Sequence, residues 1–165
     1  TAASVAGEPG NVAGVVLSAP ALLIEAPAHL RLIAGVFATL APGLRLTPAI
    51  EASAISRIDS EVEAYNQDPM ISRLSIPAKS GATAIAAAEK AWTQYGRWTA
   101  PVLVVHGEKD TLTDVNGSKR FIEAVGAKDK KLELYPEGRH ELLNDLDRDA
   151  AWGVISTWLS ARVGR

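Results

Sequence analysis

Two short segments late in the chain carry the residue types of a proton relay. His106-Gly107-Glu108-Lys109-Asp110 ends one apolar run, and Gly138-Arg139-His140-Glu141 follows the next. A carboxylate that accepts from an imidazole Nδ1–H fixes the tautomer of the ring and stabilises the imidazolium formed during reaction. An imidazole held in this way can take the proton from a serine hydroxyl and turn it into a nucleophile. Asp110 and His140 are therefore the candidate acid and base of a Ser-His-Asp triad. The third member is expected on a Gly-x-Ser-x-Gly turn. No serine of this chain has glycine at both −2 and +2, so the chain carries two members of the triad and lacks the third.

Taken singly, each residue has a plainer use. An aspartate in a turn commonly serves an Asx-turn or a cap, and a histidine in a loop is commonly just solvated. Placement favours the pair: each follows a strand-like run, a helical segment lies between them, and another closes the chain. Glu108 and Asp114 are the competing acids, and Asp110 is preferred because it sits just beyond the tight Gly107 turn. His106 lies in a buried run and is expected to be a hydrogen-bonded structural histidine. His29 falls in a different part of the chain and is not expected to act in catalysis.

The elements that must position this pair are legible from the apolar pattern. Val12 to Leu17 is a short continuous apolar run after a Gly/Pro break, and Pro101 to His106 is another. Parallel strands covered on both faces have this form. Lys131 to Tyr135 alternates, which suits a strand nearer a sheet edge. Asn116 to Val125 has Phe121, Ile122 and Val125 at helical spacing. Asp149 to Val163 is expected to be a closing helix with Trp152, Ile155, Trp158, Leu159 and Val163 as its core stripe. The first residues, Thr1 to Ala6, look like the tail of a helix begun upstream and stopped by Gly7, Pro9 and Gly10. The chain is accordingly expected to be a piece of something longer.

The stretch between the first two strands is much longer than an ordinary crossover connection. It is rich in Ala and Pro and holds three helical patterns: Ala28 to Leu40, Ser60 to Asn66 with Ser60 as N-cap, and Ser80 to Tyr95. The expected fold class is α/β, with parallel strands, flanking helices and an inserted helical lid. The expected division is core over 1–20, cap over 21–98 and core over 99–165. The cap would lie over the carboxyl ends of the strands, where functional loops gather in open α/β sheets.

With 165 residues and a net charge of −2, the chain is large enough for one buried core and offers no electrostatic case for nucleic acid. There is no cysteine, hence no disulfide or thiolate metal site. No cofactor is expected: Gly-x-x-x-x-Gly-Lys and Gly-x-Gly-x-x-Gly are absent, and three scattered histidines give no metal signature. The first residues have no basic segment followed by an apolar run, so they are not a signal peptide. A cytoplasmic protein, with contact to a membrane surface through its lid, is the expectation.

The chain resembles the C-terminal part of monoacylglycerol lipases, the lysophospholipase-like, serine-aminopeptidase-like branch of the α/β-hydrolases. The segments that carry the resemblance are Val12 to Leu22, Ile55-Ser56-Arg57, Glu61-Val62, Ala64-Tyr65-Asn66 and Asp68-Pro69. It continues through Ala100 to Gly107, Asp110, Gly117-Ser118, Leu134-Tyr135-Pro136, His140-Glu141 and Asn144. Asp110 and His140 would match the family's catalytic Asp and His, and the cap would match its lid, whose apolar face meets lipid. The nucleophile, on a Gly-His-Ser-Met-Gly-Gly type of turn, would lie upstream of Thr1 together with the oxyanion amides. Two departures are local: Arg139 stands where the family often has Tyr, and Asp145-Leu146-Asp147 follows Asn144 where Glu-Pro is common.

The resemblance implies a serine ester hydrolase acting on monoacylglycerol-like lipids and releasing fatty acid and glycerol. Its partners would be the lipid ester substrate and the missing half. Lacking the nucleophile, the chain alone is expected to be inactive. It is also expected to be stable only when its first strand pairs with that half or with a second copy. Ala28 to Leu40 is apolar on most sides, yet shorter than the roughly 20 residues needed to span a bilayer, which suits either burial or contact with a lipid surface. Two alternatives stand beside this one. One is a binding module that holds an acyl chain without turnover; the other is an α/β-hydrolase with an upstream Asp nucleophile.

Overall fold

The computed structural model describes residues 2–7, 12–24, 27–45, 49–72 and 74–163. Three parallel strands form a sheet in the order β1-β2-β3: β1 is Val15–Ser18, β2 is Val102–Gly107 and β3 is Lys130–Tyr135. Six helices accompany them among the described residues. They are α1 (Ala2–Gly7), α2 (Ala28–Leu40), α3 (Asp59–Gln67), α4 (Ala78–Trp92), α5 (Val115–Ala124) and α6 (Arg148–Ser160).

β2 is the central strand and every one of its residues is buried. Its side chains alternate between two layers, as a strand's must. Val102 and Val104 face a cluster with Val15, Leu17, Tyr95, Trp98 and Phe121, while Leu103 and Val105 face Tyr135, Leu142, Ile155 and Trp158. The first cluster is held by edge-to-face aromatic contacts, with Tyr95 and Phe121 rings 4.7 Å apart and Trp98 and Phe121 rings 5.5 Å apart. The alternation expected for the third strand agrees with its place at one side of the sheet and its partial exposure.

Several boundaries differ from the sequence expectation. Ser60 is not an N-cap: α3 begins at Asp59, and Ile58 holds the cap position. The hydroxyl of Ser56 accepts from the Ile58 N–H at 3.0 Å in the turn just before the helix, and no side chain caps α3. α4 begins two residues earlier than expected, behind Pro77, and ends at Trp92. α6 ends at Ser160, and its buried stripe is Ala151, Ile155 and Trp158. Trp152, Leu159 and Val163, expected in the core, are exposed. The sheet takes only a narrow stripe of this helix, and the small residue Ala151 fits where Trp152 was expected. Gly7 belongs to α1, whereas Pro9 and Gly10 lie outside the described residues.

Residues 27–45 and 74–92 pack as a helical pair. α2 lies on α4, Arg31 pairs with Glu89, and Arg45 bridges Pro77. One face of α2 remains open, with Leu32 and Leu40 70% and 78% exposed. Among the described residues no helix is long and apolar enough to cross a membrane.

Candidate active site

Asp110 and His140 meet at the carboxyl ends of β2 and β3. His140 Nδ1 lies 2.8 Å from Asp110 Oδ2. The approach depends on two glycines. A Cβ on Gly107 would land on the Gly138 carbonyl and come within 2.6 Å of the Arg139 oxygen, so the β2 end and the His140 loop touch backbone to backbone. Two hydrogen bonds seal the contact, Glu108 N–H to Tyr135 O (2.8 Å) and Lys109 N–H to Gly138 O (3.0 Å), and Gly138 N–H to Tyr135 O (3.1 Å) closes the turn within the loop.

Asp110 serves both of its possible uses at once. Oδ1 accepts from the N–H groups of Leu112 (2.7 Å) and Thr113 (3.0 Å), an Asx-type turn. Oδ2 accepts from His140 and from the Thr113 hydroxyl at 2.7 Å, and His106 Nε2 lies 3.2 Å away. The side chain is fully buried. Burial alone would raise its pKa, but hydrogen bonds from His106, His140 and Thr113 outweigh it and hold the carboxyl well below the usual carboxylate range.

The His140 ring is partly open, with 29% of the side chain exposed. Its hydrogen bond to Asp110 raises its pKa above the ordinary histidine value; burial opposes this, and the charges of Asp110 and Glu141 add to it. With Nδ1 committed to Asp110, Nε2 is the nitrogen left to act as a base.

The other candidates have settled roles. Asp114 caps α5, accepting from the Asn116 N–H at 2.8 Å, and Glu108 pairs with Lys119 at 3.1 Å. His106 is fully buried with Nδ1 2.7 Å from the Ser118 hydroxyl, so it is the hydrogen-bonded histidine expected, though its other nitrogen faces Asp110. His29 is exposed on α2. No group of three or more His, Cys, Asp or Glu residues fit to hold a metal occurs among the described residues.

Thr113 was not singled out from sequence, and Arg57 and Asp145 were given no role in the site. Thr113 joins the site to β1: its hydroxyl lies 3.1 Å from the Ala19 carbonyl. Ala19 has φ 42°, a left-handed conformation costly for alanine, and is pinned by its own N–H to Val105 O at 2.9 Å. Asp145 is fully buried and accepts from the N–H groups of Arg57 (2.8 Å) and Arg139 (2.9 Å) as well as from the Arg57 guanidinium. Burial opposes its ionisation, yet these donors hold its carboxyl below the ordinary range. The Arg139 guanidinium bonds the carbonyls of Ser53 and Ser56, and Glu141 N–H bonds Ile55 O at 2.9 Å. The visible signals for these ties were Arg57, inside a segment that carries the resemblance, and Arg139 and Asp145, which stood out as departures.

Two hollows flank this region. A polar one of about 560 Å³ is bordered by Ser53, Arg57, Lys109, Thr111 and Arg139. An apolar one of about 430 Å³ lies between β1, α1 and α4, bordered by Val16, Leu22, Ala88 and Tyr95.

The family profile described as serine aminopeptidase, S33, matches residues 1–147. This chain belongs to the serine aminopeptidase S33 family. The S33 assignment accords with its relatives. The chain is 33% identical over 153 residues to a monoacylglycerol lipase of Mycolicibacterium smegmatis, a match over 92% of this chain and 54% of the relative. It is 32% identical over 162 residues to the monoglyceride lipase of Homo sapiens, covering 95% of this chain and 53% of that protein. The chain therefore spans about half the length of the curated relatives it matches.

This S33 chain superposes on the crystal structure of the Paleococcus ferrophilus monoacylglycerol lipase with a TM-score of 0.87 and 29% identity, over 98% of this chain and 63% of that one. A soluble variant of the Saccharomyces cerevisiae monoglyceride lipase matches with a TM-score of 0.83 at 22% identity, over 99% and 59% of the two chains. The fold is that of the α/β-hydrolases, as the resemblance implied.

Proposed function

We propose that this chain is the acid- and base-bearing part of a serine hydrolase that cleaves monoacylglycerol-like lipid esters to fatty acid and glycerol. The observation that carries this is the 2.8 Å contact of His140 Nδ1 with the buried Asp110 carboxylate at two adjacent strand ends. The names of the relatives supply the substrate class, and the yeast enzyme was crystallised with a substrate analogue.

In this mechanism the nucleophilic serine comes from sequence beyond these 165 residues. His140 Nε2 takes its hydroxyl proton as the serine oxygen bonds to the ester carbonyl carbon. Asp110 stabilises the imidazolium. The tetrahedral intermediate collapses, the bond to the glycerol oxygen breaks, and His140 gives that oxygen the proton. Water then attacks the acyl-enzyme by the same steps in reverse roles and releases the fatty acid. The segment 21–98 serves as the lid, and the open face of α2 meets the lipid or a membrane surface. A protein of this kind works in the cytoplasm at such surfaces. The 165-residue chain by itself is inactive, and it gains stability by pairing with the nucleophile-bearing half or a second copy.

The test joins this chain to a nucleophile-bearing N-terminal segment from an S33 monoacylglycerol lipase relative. Fluorophosphonate labelling and monoacylglycerol hydrolysis are expected, with both lost in His140→Ala. An intact serine that neither labels nor turns over would favour an acyl-binding module. An Asp in place of the serine, read in the natural sequence that adjoins Thr1, would point instead to an Asp-nucleophile hydrolase.

A further inference from the structure

A buried polar chain lies behind Asp110. His106 and Ser118 are both fully buried, on β2 and α5. Their side chains meet at 2.7 Å between Ser118 Oγ and His106 Nδ1. On the far side of the ring, Nε2 sits in a fork, 3.2 Å from Asp110 Oδ2 and 3.3 Å from Thr113 Oγ1.

The fork decides which nitrogen carries the proton. A bare Nε2 lone pair beside an ionised, buried carboxylate would be repelled, whereas an Nε2–H meets two acceptors. The hydroxyl of Ser118 then donates to the free Nδ1. A buried carboxylate is stable only when its oxygens are satisfied. Thr113 cannot fully satisfy Oδ2, because its single proton is shared with the Ala19 carbonyl at 3.1 Å.

We propose that His106 is a positioning residue for the Asp110–His140 pair, with Ser118 holding its ring in the Nε2–H tautomer so that it donates to the carboxylate from behind. This rests on the hydrolase reading above. Its physical effect is on the strength of the carboxylate: each donor to Oδ2 disperses charge that would otherwise act on His140 alone. Removing His106 leaves a more basic carboxylate, and the imidazolium form of His140 becomes easier to make and harder to discharge. Asp110 and Glu141 are the charged groups that His140 feels, and neither is altered by the test.

The test has two arms. In the chain itself, 15N-histidine NMR is expected to show His106 with a protonated Nε2 and an unprotonated Nδ1. The reverse pattern overturns the proposal. In the joined enzyme, His106→Leu is expected to slow fluorophosphonate labelling about tenfold and to raise the His140 titration midpoint by about one unit. His106→Gln, whose amide carries an N–H to the same place, restores most of both. If the leucine variant fails to fold, Ser118→Ala takes its place, with a mixed His106 tautomer and a His140 midpoint moved the same way. An unmoved His140 midpoint in every folded variant overturns the proposal. A wild-type joined enzyme that never labels overturns the hydrolase reading instead and leaves the tautomer arm to decide this one.

Discussion

Arg57 and Asp145, 88 residues apart, grip one another three times. The Arg57 Nε lies 3.0 Å from each Asp145 oxygen, and the Arg57 backbone N–H donates to Oδ1 at 2.8 Å. The guanidinium also reaches Asp147 at 2.6 Å. One residue belongs to the root of the inserted helical region and the other to the loop that carries His140. Removing Asp145 leaves Arg57 paired with Asp147 but strips the backbone N–H groups of Arg57 and Arg139 of their buried acceptor, at about 1–3 kcal/mol for each. Asp145→Ala is therefore expected to destabilise the joined enzyme by about 3 kcal/mol in urea unfolding. Asp147→Ala, whose carboxylate is more exposed, should cost about 1 kcal/mol or less.

The hydrolysis rate should rise with pH as His140 loses its proton, because only the neutral imidazole is a base. Asp110 raises the His140 pKa, so the rising limb of kcat/KM is expected above the ordinary histidine value of about 6.5. Asp110→Asn removes the charge that raises it and should move the limb to lower pH while lowering the plateau by about 10⁴-fold. A limb that stays in place would separate His140 from the observed titration.

Stability should fall in acid for a stated reason. The folded-state pKa values of Asp110 and Asp145 are both lowered. Their contributions are present above the unfolded carboxyl value of about 4 and are lost as pH drops below it. His140 has the opposite sign: its contribution is present below about 6.5 and fades as pH rises through its raised folded value. The urea midpoint of the joined enzyme should thus peak between about pH 5 and 6.5, and Asp145→Asn should flatten the acid side.

Gly107→Ala is expected to separate the two loops. Its Cβ would overlap backbone atoms of Gly138 and Arg139, which cannot swing away as a side-chain tip can. Activity should drop at least tenfold through misplacement of His140, and the NMR signal of the His140 Nδ1–H, held by Asp110, should broaden or vanish.

Ala19→Gly tests the opposite case. Ala19 holds φ 42°, where glycine is relieved of about 1 kcal/mol of strain, against a similar loss of unfolded-state restriction. Stability should change by less than about 1 kcal/mol, with activity retained. Ala19→Val should be costly.

The strands were legible because both faces of β2 are covered, which leaves an unbroken apolar run in Val102 to Val105. Asp110 and His140 were legible as a pair because each follows such a run. The ties around them were not. Thr113 belongs to no motif, and although Ser118 and Arg57 lie in segments that carry the resemblance, the roles of all three arise only when distant segments meet. Trp152 misled for a related reason: helical spacing says which residues share a face, but not how wide a strip the neighbouring sheet will take. Ser60 misled because Ser56, four residues earlier, already serves the turn.

Residues 53–57 are fastened to the turn bearing His140 by Arg139, Glu141 and Asp145. The His140 turn and residues 53–57 therefore form one bonded unit. The α2–α4 pair shares none of those bonds. In the proposed lid, substitutions in that pair are expected to change which lipids are admitted while leaving the Asp110–His140 contact as it is.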